Sequence, residues 1–411
     1  MRVIGMDIHR TFAEVVALLD GKATRLGRVE MRRDRLEEFA RAALTHDDHV
    51  VVEATGNAAA LTELLAPHVG RVVIANPKQV RLIAHAKVKT DAIDAAVLAK
   101  LYASGFLPEV WVPDGRTGAL RRQVSRRTQL VRQRTRLKNI VHSILHAHLV
   151  PPCPHADILS GKGRTWLAAR RLPEDERAAI ERHMRVLDRL AEDLRTVERD
   201  IAQRVLGDDR VKRLMTVPGV DLLVAVGLAA AIGDVTRFAD PQKLVAYLGL
   251  NPSVRQSGDG PAHHGRIAKQ GRGHARGMLV EAAWAAARSP GPLRAFFLRV
   301  SARRGQNVAV VATARKLAVL IWHLLRKDED YAWVRPGLHA KKLRSLELRA
   351  GLPSRRGRRG AASGYNLAAT REEEKRRAEQ AEGVYRRLTE GWTPRGPKRR
   401  ARTGAASEER P

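Results

Sequence analysis

Four acids stand where a folded chain could bring them to one point: Asp7, Glu53, Asp91 and Asp94. Asp7 closes the apolar run "RVIGMDI", where a carboxylate is desolvated at a cost that a partner or a cation must offset. Glu53 ends a second apolar run, "VVVEATG", and Gly56 behind it allows a tight exit. "KTDAIDA" sets Asp91 and Asp94 three residues apart in the first turn of a helix, so both project from one face. Four carboxylates do not stay ionised together without cations, and hard oxygen ligands suit Mg²⁺ or Mn²⁺. Two such ions about 4 Å apart would stabilise the attacking and leaving oxygens of an in-line phosphoryl displacement. Taken singly, Asp91 and Asp94 read as acids complementing a helix dipole, and Glu53 as a solvated strand end. The joint pattern, anchored by Asp7, points to metal.

Positioning these acids requires an α/β domain over residues 1–110. "RVIGMDI", "TFAEVVALLD" and "ATRLGRVEM" read as strands, with "GK" marking a turn. "RDRLEEFARAAL" has helical spacing, "HVVVEAT" is an apolar strand with both faces covered, and "NAAALTELLAPHV" is a helix. "RVVIAN" is another buried strand, and "TDAIDAAVLAKLYASG" a helix capped by Thr90 and closed near Gly105. With the first strand central and paired to the Glu53 strand, Asp7 and Glu53 become neighbours at one edge of the sheet. A helix across that edge then delivers Asp91 and Asp94.

The rest of the chain reads as all-α. Residues 111–206 hold two long helices, Arg116 to Leu149 and about 175 to 206, separated by the breaker "PPCPH". They predict an antiparallel hairpin or a dimerising coiled coil. No acid occurs between Asp114 and Asp157, and like charges along one helix repel. Arg121, Arg122 and Arg126 are therefore expected on nucleic acid, as is Lys89 before the paired aspartates. Residues 207–330 are helical around a Gly-rich centre, and 331–411 form a basic, partly disordered extension with a charged helix near "TREEEKRRAEQAEGVYRRL".

Lys+Arg 75 against Asp+Glu 44 gives a formal net charge of +31, which calls for a polyanionic partner. A single cysteine, Cys153, excludes an internal disulfide framework and fits a reducing cytosol. The start lacks a signal-peptide pattern, and "LLVAVGLAAAIG" is too short to span a bilayer, so no membrane partner is expected. An actin-like or sugar-kinase-like ATPase is disfavoured because "IHRT", not a Gly-rich loop, follows Asp7.

"GMDIHR", "VVEATG", "KTDAIDA" and "NPSVRQSGDGPAHHGRIAKQGRGHAR" together resemble the DEDD-type transposases of the insertion-sequence one-ten family, over roughly residues 1–325. The resemblance implies a ribonuclease-H-like, RuvC-like N-terminal domain with Asp7, Glu53, Asp91 and Asp94 as its metal-binding tetrad. It also implies a serine in the C-terminal transposase domain that forms a phosphoserine link with DNA. A structured noncoding bridge RNA that pairs with target and donor double-stranded DNA is implied in the same way, as is a prokaryotic, cytoplasmic and nucleoid-associated setting.

On residue type alone a loop serine is a turn former. The resemblance selects Ser257, followed by Gly258, over Ser253, which follows Pro252. Arg266, Lys269, Arg272 and Arg276 surround it in sequence and would clamp a scissile phosphate. Metals brought near by docking of domains or subunits would activate the serine or the leaving oxygen. "LMTVPGVDLLVAVG" resembles a helix-hairpin-helix, but Asp221 replaces its usual second glycine, which favours packing over phosphate contact. Trp284 and Trp322 are expected in the core. A DNA recombinase, as a dimer or tetramer, leads the functional readings; a structure-specific, Holliday-junction-type endonuclease and a non-enzymatic nucleic-acid-binding protein are the rivals.

Overall fold

A computed structural model describes residues 1–83, 90–258, 260–353 and 364–390, which fall into two compact units divided after Asp114. The first unit is built on a six-stranded mixed sheet. Its strands are β1 (Arg2–Ile8), β2 (Phe12–Leu19), β3 (Lys22–Glu30), β4 (Asp48–Glu53), β5 (Arg71–Ala75) and β6 (Glu109–Val110), in the order β3-β2-β1-β4-β5-β6. Asp20 and Gly21 both take positive φ (49° and 78°), the two-residue turn that suits the twist of a hairpin, and so join β2 to β3. β1 lies inside the sheet and pairs parallel with β4, which pairs parallel with β5.

The apolar runs in β1 and β4 reflect cover on both faces. Ile4, Met6, Val50 and Val52 pack under Leu36 and Ala40 of α1 (Arg33–Ala43) and Leu61 and Leu65 of α2 (Ala58–Leu65). Val3 and Val51 face Leu98 and Ala99 of α4 (Asp91–Ala103), which follows the short α3 (Pro77–Ile83). The Thr90 hydroxyl accepts a hydrogen bond from the Ile93 N–H and fixes where α4 begins. That helix lies directly on β1 because position 5 has no side chain: a methyl group at Gly5 would stand 1.9 Å from the Ala95 carbonyl oxygen. At the opposite end of β1, buried Asp48 accepts from Arg2 (2.6 and 2.8 Å) and from the Thr45 N–H (2.7 Å).

The second unit is helical. Its long members, α5 (Gly115–Ala147) and α7 (Glu174–Val205), form an antiparallel hairpin: Leu120 and Val124 join Ile201 and Val205 in one cluster, and Val141 and Leu145 meet Ile180 in another. Arg127 Nε meets Glu198 Oε1 across it at 2.7 Å. α6 (Gly161–Ala168) closes the far end, where the sequence reading has only a break.

After α8 (Asp209–Leu214) comes α9 (Leu222–Ile232), apolar all round and buried along most of its length, as befits the centre of a helical core. Around it stand α10 (Pro241–Tyr247), α11 (Gly273–Arg288), α12 (Pro292–Arg304) and α13 (Gln306–Lys327). By length and composition α13 is long and apolar enough to cross a membrane, but Ala309, Thr313, Leu317 and Ile321 face this core.

Residues 331–353, assigned by sequence to a basic extension, close over the same core through Tyr331, Leu346 and Ala350, with α14 at Pro336–Arg349. The apolar anchors are sparse among cations, which hides them from a compositional reading. α15 (Ala368–Glu390) matches the expected charged helix, and its buried Glu382 accepts from Arg294 Nε (2.7 Å) and the Gly291 N–H (3.1 Å). The basic stretches at 354–363 and 391–411 lie outside the described residues.

Because the contact at Gly5 is backbone to backbone, Gly5→Ala must push α4 away from β1. We expect a loss of about 3 kcal/mol, the upper range for overpacking, in the thermal transition of the first unit. A melting temperature equal to that of the unaltered protein would show that α4 does not depend on this contact.

Candidate metal centre and serine ribbon

Register places the first two acids. β1 and β4 are aligned up to Met6 and Val52, so Asp7 and Glu53 come next, side by side at the carboxyl ends of two parallel strands. Asp91 opens α4 and Asp94 follows one turn on, each half-buried. The turn after β1 adds a residue the sequence reading did not select. His9 Nε2 lies 3.3 Å from Asp7 Oδ2 and 3.3 Å from Asp91 Oδ1, and one ligand atom from each of the three lies within 4.8 Å of the others.

Burial is the main cause of a raised Asp7 pKa; His9 opposes it, while Asp94 and then Asp91 add to it by like-charge repulsion. A cation at this corner would relieve that repulsion. The donor set fits one. Carboxylate oxygens converge, and among the described residues the buried His9 Nε2 has no aligned hydrogen-bond partner.

Two more residues went unselected. Glu14 stands opposite Asp7 on β2 and is 1% exposed, but arginines neutralise it: Arg25 pairs with one oxygen and Arg28 Nε with the other at 2.9 Å. Arg28 also reaches Asp91 Oδ2 at 3.5 Å. The available signal was an acid amid the apolar run "AEVVALL", which implies a buried partner.

In the second unit the Gly-rich segment forms a ribbon of β7 (Pro252–Arg255) and β8 (His263–Ile267). Ser257 is exposed in the loop between them, and Gly258 takes φ 55°. The Ser253 hydroxyl donates to the Arg266 carbonyl at 3.2 Å, tying it to the ribbon. Arg266 and Lys269 are exposed. Arg272 is exposed as well, with its Nε donating to the Tyr247 hydroxyl (2.8 Å), while the half-buried Arg276 donates to the Leu248 and Lys269 carbonyls (3.3 and 3.2 Å) at the root of the ribbon.

The basic helix divides in the same way. Arg121, expected on nucleic acid, turns inward and donates to the Ala230 and Ala231 carbonyls at 2.7 and 2.8 Å, at the last turn of α9. Arg122 and Arg126 are exposed, whereas Lys89 lies outside the described residues.

In the hairpin-like segment the Asp221 carboxylate caps α9 by accepting from the Val224 N–H (3.0 Å), which explains an acid where a glycine is usual. Lys342 braces the turn from behind. Its ammonium donates to the Met215, Val217 and Val220 carbonyls at 2.7, 3.1 and 2.8 Å, and burial pushes its pKa down to about 8. Trp322 Nε1 donates to the Phe238 carbonyl (3.0 Å) and Trp284 packs on Phe297, both against the core.

Comparison with known proteins bears on both units. A model of the DEDD-type IS110 transposases matches residues 4–149, and one described as the IS116/IS110/IS902 transposase family matches residues 211–298. A Pseudomonas aeruginosa protein assigned to the family 20 transposases is 30% identical over 263 residues, covering 61% of this chain and 75% of its own. The candidate transposase y4qE of Sinorhizobium fredii is 31% identical over 268 residues, covering 59% of this chain and 66% of its own. The transposase for insertion sequence element IS1111A of Coxiella burnetii is 25% identical over 350 residues, covering 80% and 91%. With both sequence models matched in order, the chain belongs to the IS116/IS110/IS902 family of DEDD-type insertion-sequence transposases, enzymes that act on DNA.

Proposed function

We propose that this transposase is a metal-dependent, serine-assisted DNA recombinase guided by a structured noncoding RNA. The observation that carries the reading is the convergence of Asp7 and Asp91 on one point, with Asp94 acting on Asp7 and Glu53 next to it in the sheet. The mixed sheet with parallel β1, β4 and β5 supports a ribonuclease-H-like, RuvC-like domain over residues 1–110. Residues 111–206 are then a helical spacer and 207–330 the serine-bearing domain.

Asp7, Glu53, Asp91 and Asp94 would hold Mg²⁺ or Mn²⁺, and such a cation supplies positive charge against the developing negative charge of a phosphodiester. The Ser257 oxygen forms a bond to phosphorus as the bond to a deoxyribose oxygen breaks; the hydroxyl proton is lost to solvent, and the freed sugar oxygen takes one up. Exposure at the tip of a ribbon with flexible Gly258 leaves that hydroxyl accessible to a backbone phosphate. Target and donor duplexes and the guide RNA account for the charge of +31, and strand exchange calls for a dimer or tetramer in a prokaryotic cytoplasm.

With Mg²⁺, the element's noncoding RNA and matched target and donor DNA, we expect an RNA-dependent covalent protein–DNA adduct on a denaturing gel. Ser257→Ala and Asp7→Ala should each abolish it. Cleavage without an adduct, retained in Ser257→Ala and lost in Asp7→Ala, would instead identify a structure-specific endonuclease.

The two faces of α5 separate by salt dependence. The double variant Arg122→Ala/Arg126→Ala should bind DNA more weakly whatever its sequence, with the log K against log salt slope reduced by about 2. Arg121→Ala should lower stability by about 2 kcal/mol, because it removes the arginine donor from the Ala230 carbonyl and leaves Ala231 with the Tyr247 hydroxyl alone. A slope reduced by about 1 in Arg121→Ala would instead assign Arg121 to the nucleic acid.

A further inference from the structure

Among the described residues His9 brings a nitrogen donor into a corner of carboxylate oxygens, and its pose is fixed by more than the acids. Its backbone N–H donates to the Phe12 carbonyl at 2.9 Å, closing the turn between β1 and β2. Its ring rests on Phe12, with centroids 4.7 Å apart, and Arg28 covers the same Phe12 ring at 4.3 Å. Packing therefore aims Nε2 between Asp7 Oδ2 and Asp91 Oδ1, 3.3 Å from each, where it is buried and meets neither in hydrogen-bond alignment.

A ring nitrogen held equidistant from two carboxylate oxygens, but aligned with neither for a hydrogen bond, can turn its lone pair to a third body shared with both. Adjacent ligands of a six-coordinate ion with bonds of about 2.1 Å stand about 3 Å apart, close to the spacing seen here. Arg28 contributes by dividing Asp91. It approaches Oδ2 at 3.5 Å, so Oδ1 is the oxygen turned toward His9.

We propose that His9 Nε2 is itself a metal ligand beside Asp7 and Asp91, and that it biases the centre toward Mn²⁺ over Mg²⁺. This rests on the metal centre proposed above and adds the identity of the ion it prefers. Mg²⁺ keeps to oxygen donors and holds its waters, whereas first-row transition ions accept imidazole.

The test uses the full chain, with Mn²⁺ alone as probe. Pulsed electron paramagnetic resonance should show ¹⁴N modulation on bound Mn²⁺ in the unaltered protein and none in His9→Gln. Calorimetry should show Mn²⁺ affinity falling roughly tenfold or more in that variant, with Mg²⁺ affinity little changed, so that the preference for Mn²⁺ narrows. His9→Ala serves as a second variant, and thermal transitions confirm that both are folded.

Bound Mn²⁺ without nitrogen modulation in the unaltered protein, modulation that persists in both variants, or an unaltered Mn²⁺ preference would overturn the assignment of His9 while leaving the carboxylate centre standing. Mn²⁺ binding that is absent, or indifferent to Asp7→Asn, would remove the centre and this inference together.

Discussion

The first unit depends on the space left by a missing side chain. At Gly5 the backbone of α4 meets the backbone of β1, with the Ala95 carbonyl occupying the volume that any other residue would fill. Gly5 and Asp7 are two residues apart on one strand and so face the same side of the sheet, toward α4. The same contact that packs the helix therefore sets the distance from Asp7 to Asp91. Thr90 fixes the helix start, Gly5 its height above the sheet, and the β1–β4 register the position of Glu53 relative to Asp7. None of these residues carries the chemistry, yet each limits where a carboxylate can stand.

Much of this was legible in the sequence because it follows local rules. The apolar runs marked β1, β4 and β5, the Thr-Asp pair marked the start of α4, and the breaker at "PPCPH" marked the end of α5. The structure pairs the two long helices with each other as an antiparallel hairpin, through contacts such as Leu120 with Val205 that spacing alone cannot choose. His9 and Arg28 were not legible, and Glu14 showed only as an acid within an apolar run. They come from a turn and two neighbouring strands, and they meet only through antiparallel register and a cation–ring contact.

The arginines show a different ambiguity. Arg121 and Arg276 look like surface cations in a basic stretch, but a guanidinium that satisfies backbone carbonyls has the same letter as one that binds phosphate. A pattern of charge does not distinguish them; the carbonyls they meet do. Buried acids follow the same logic. Glu14, Asp48 and Glu382 are each nearly inaccessible, and each is held by arginine. At Asp48 burial alone would raise the pKa, but the hydrogen bonds from Arg2 and Thr45 outweigh it and keep the group below the ordinary carboxylate range.

The C-terminal end of α9 shows where that inward charge leads. Arg121 donates to the Ala230 and Ala231 carbonyls, Arg237 to Ile232 and Arg210 to Gly233, so three guanidinium groups close the negative end of the most buried helix. These contacts are partly buried and made to backbone dipoles, so mobile ions screen them far less than they screen exposed arginines against phosphate. Cohesion and polyanion binding thus respond differently to ionic strength. Concentrated salt is therefore expected to release a bound polyanion from this chain before it loosens these contacts.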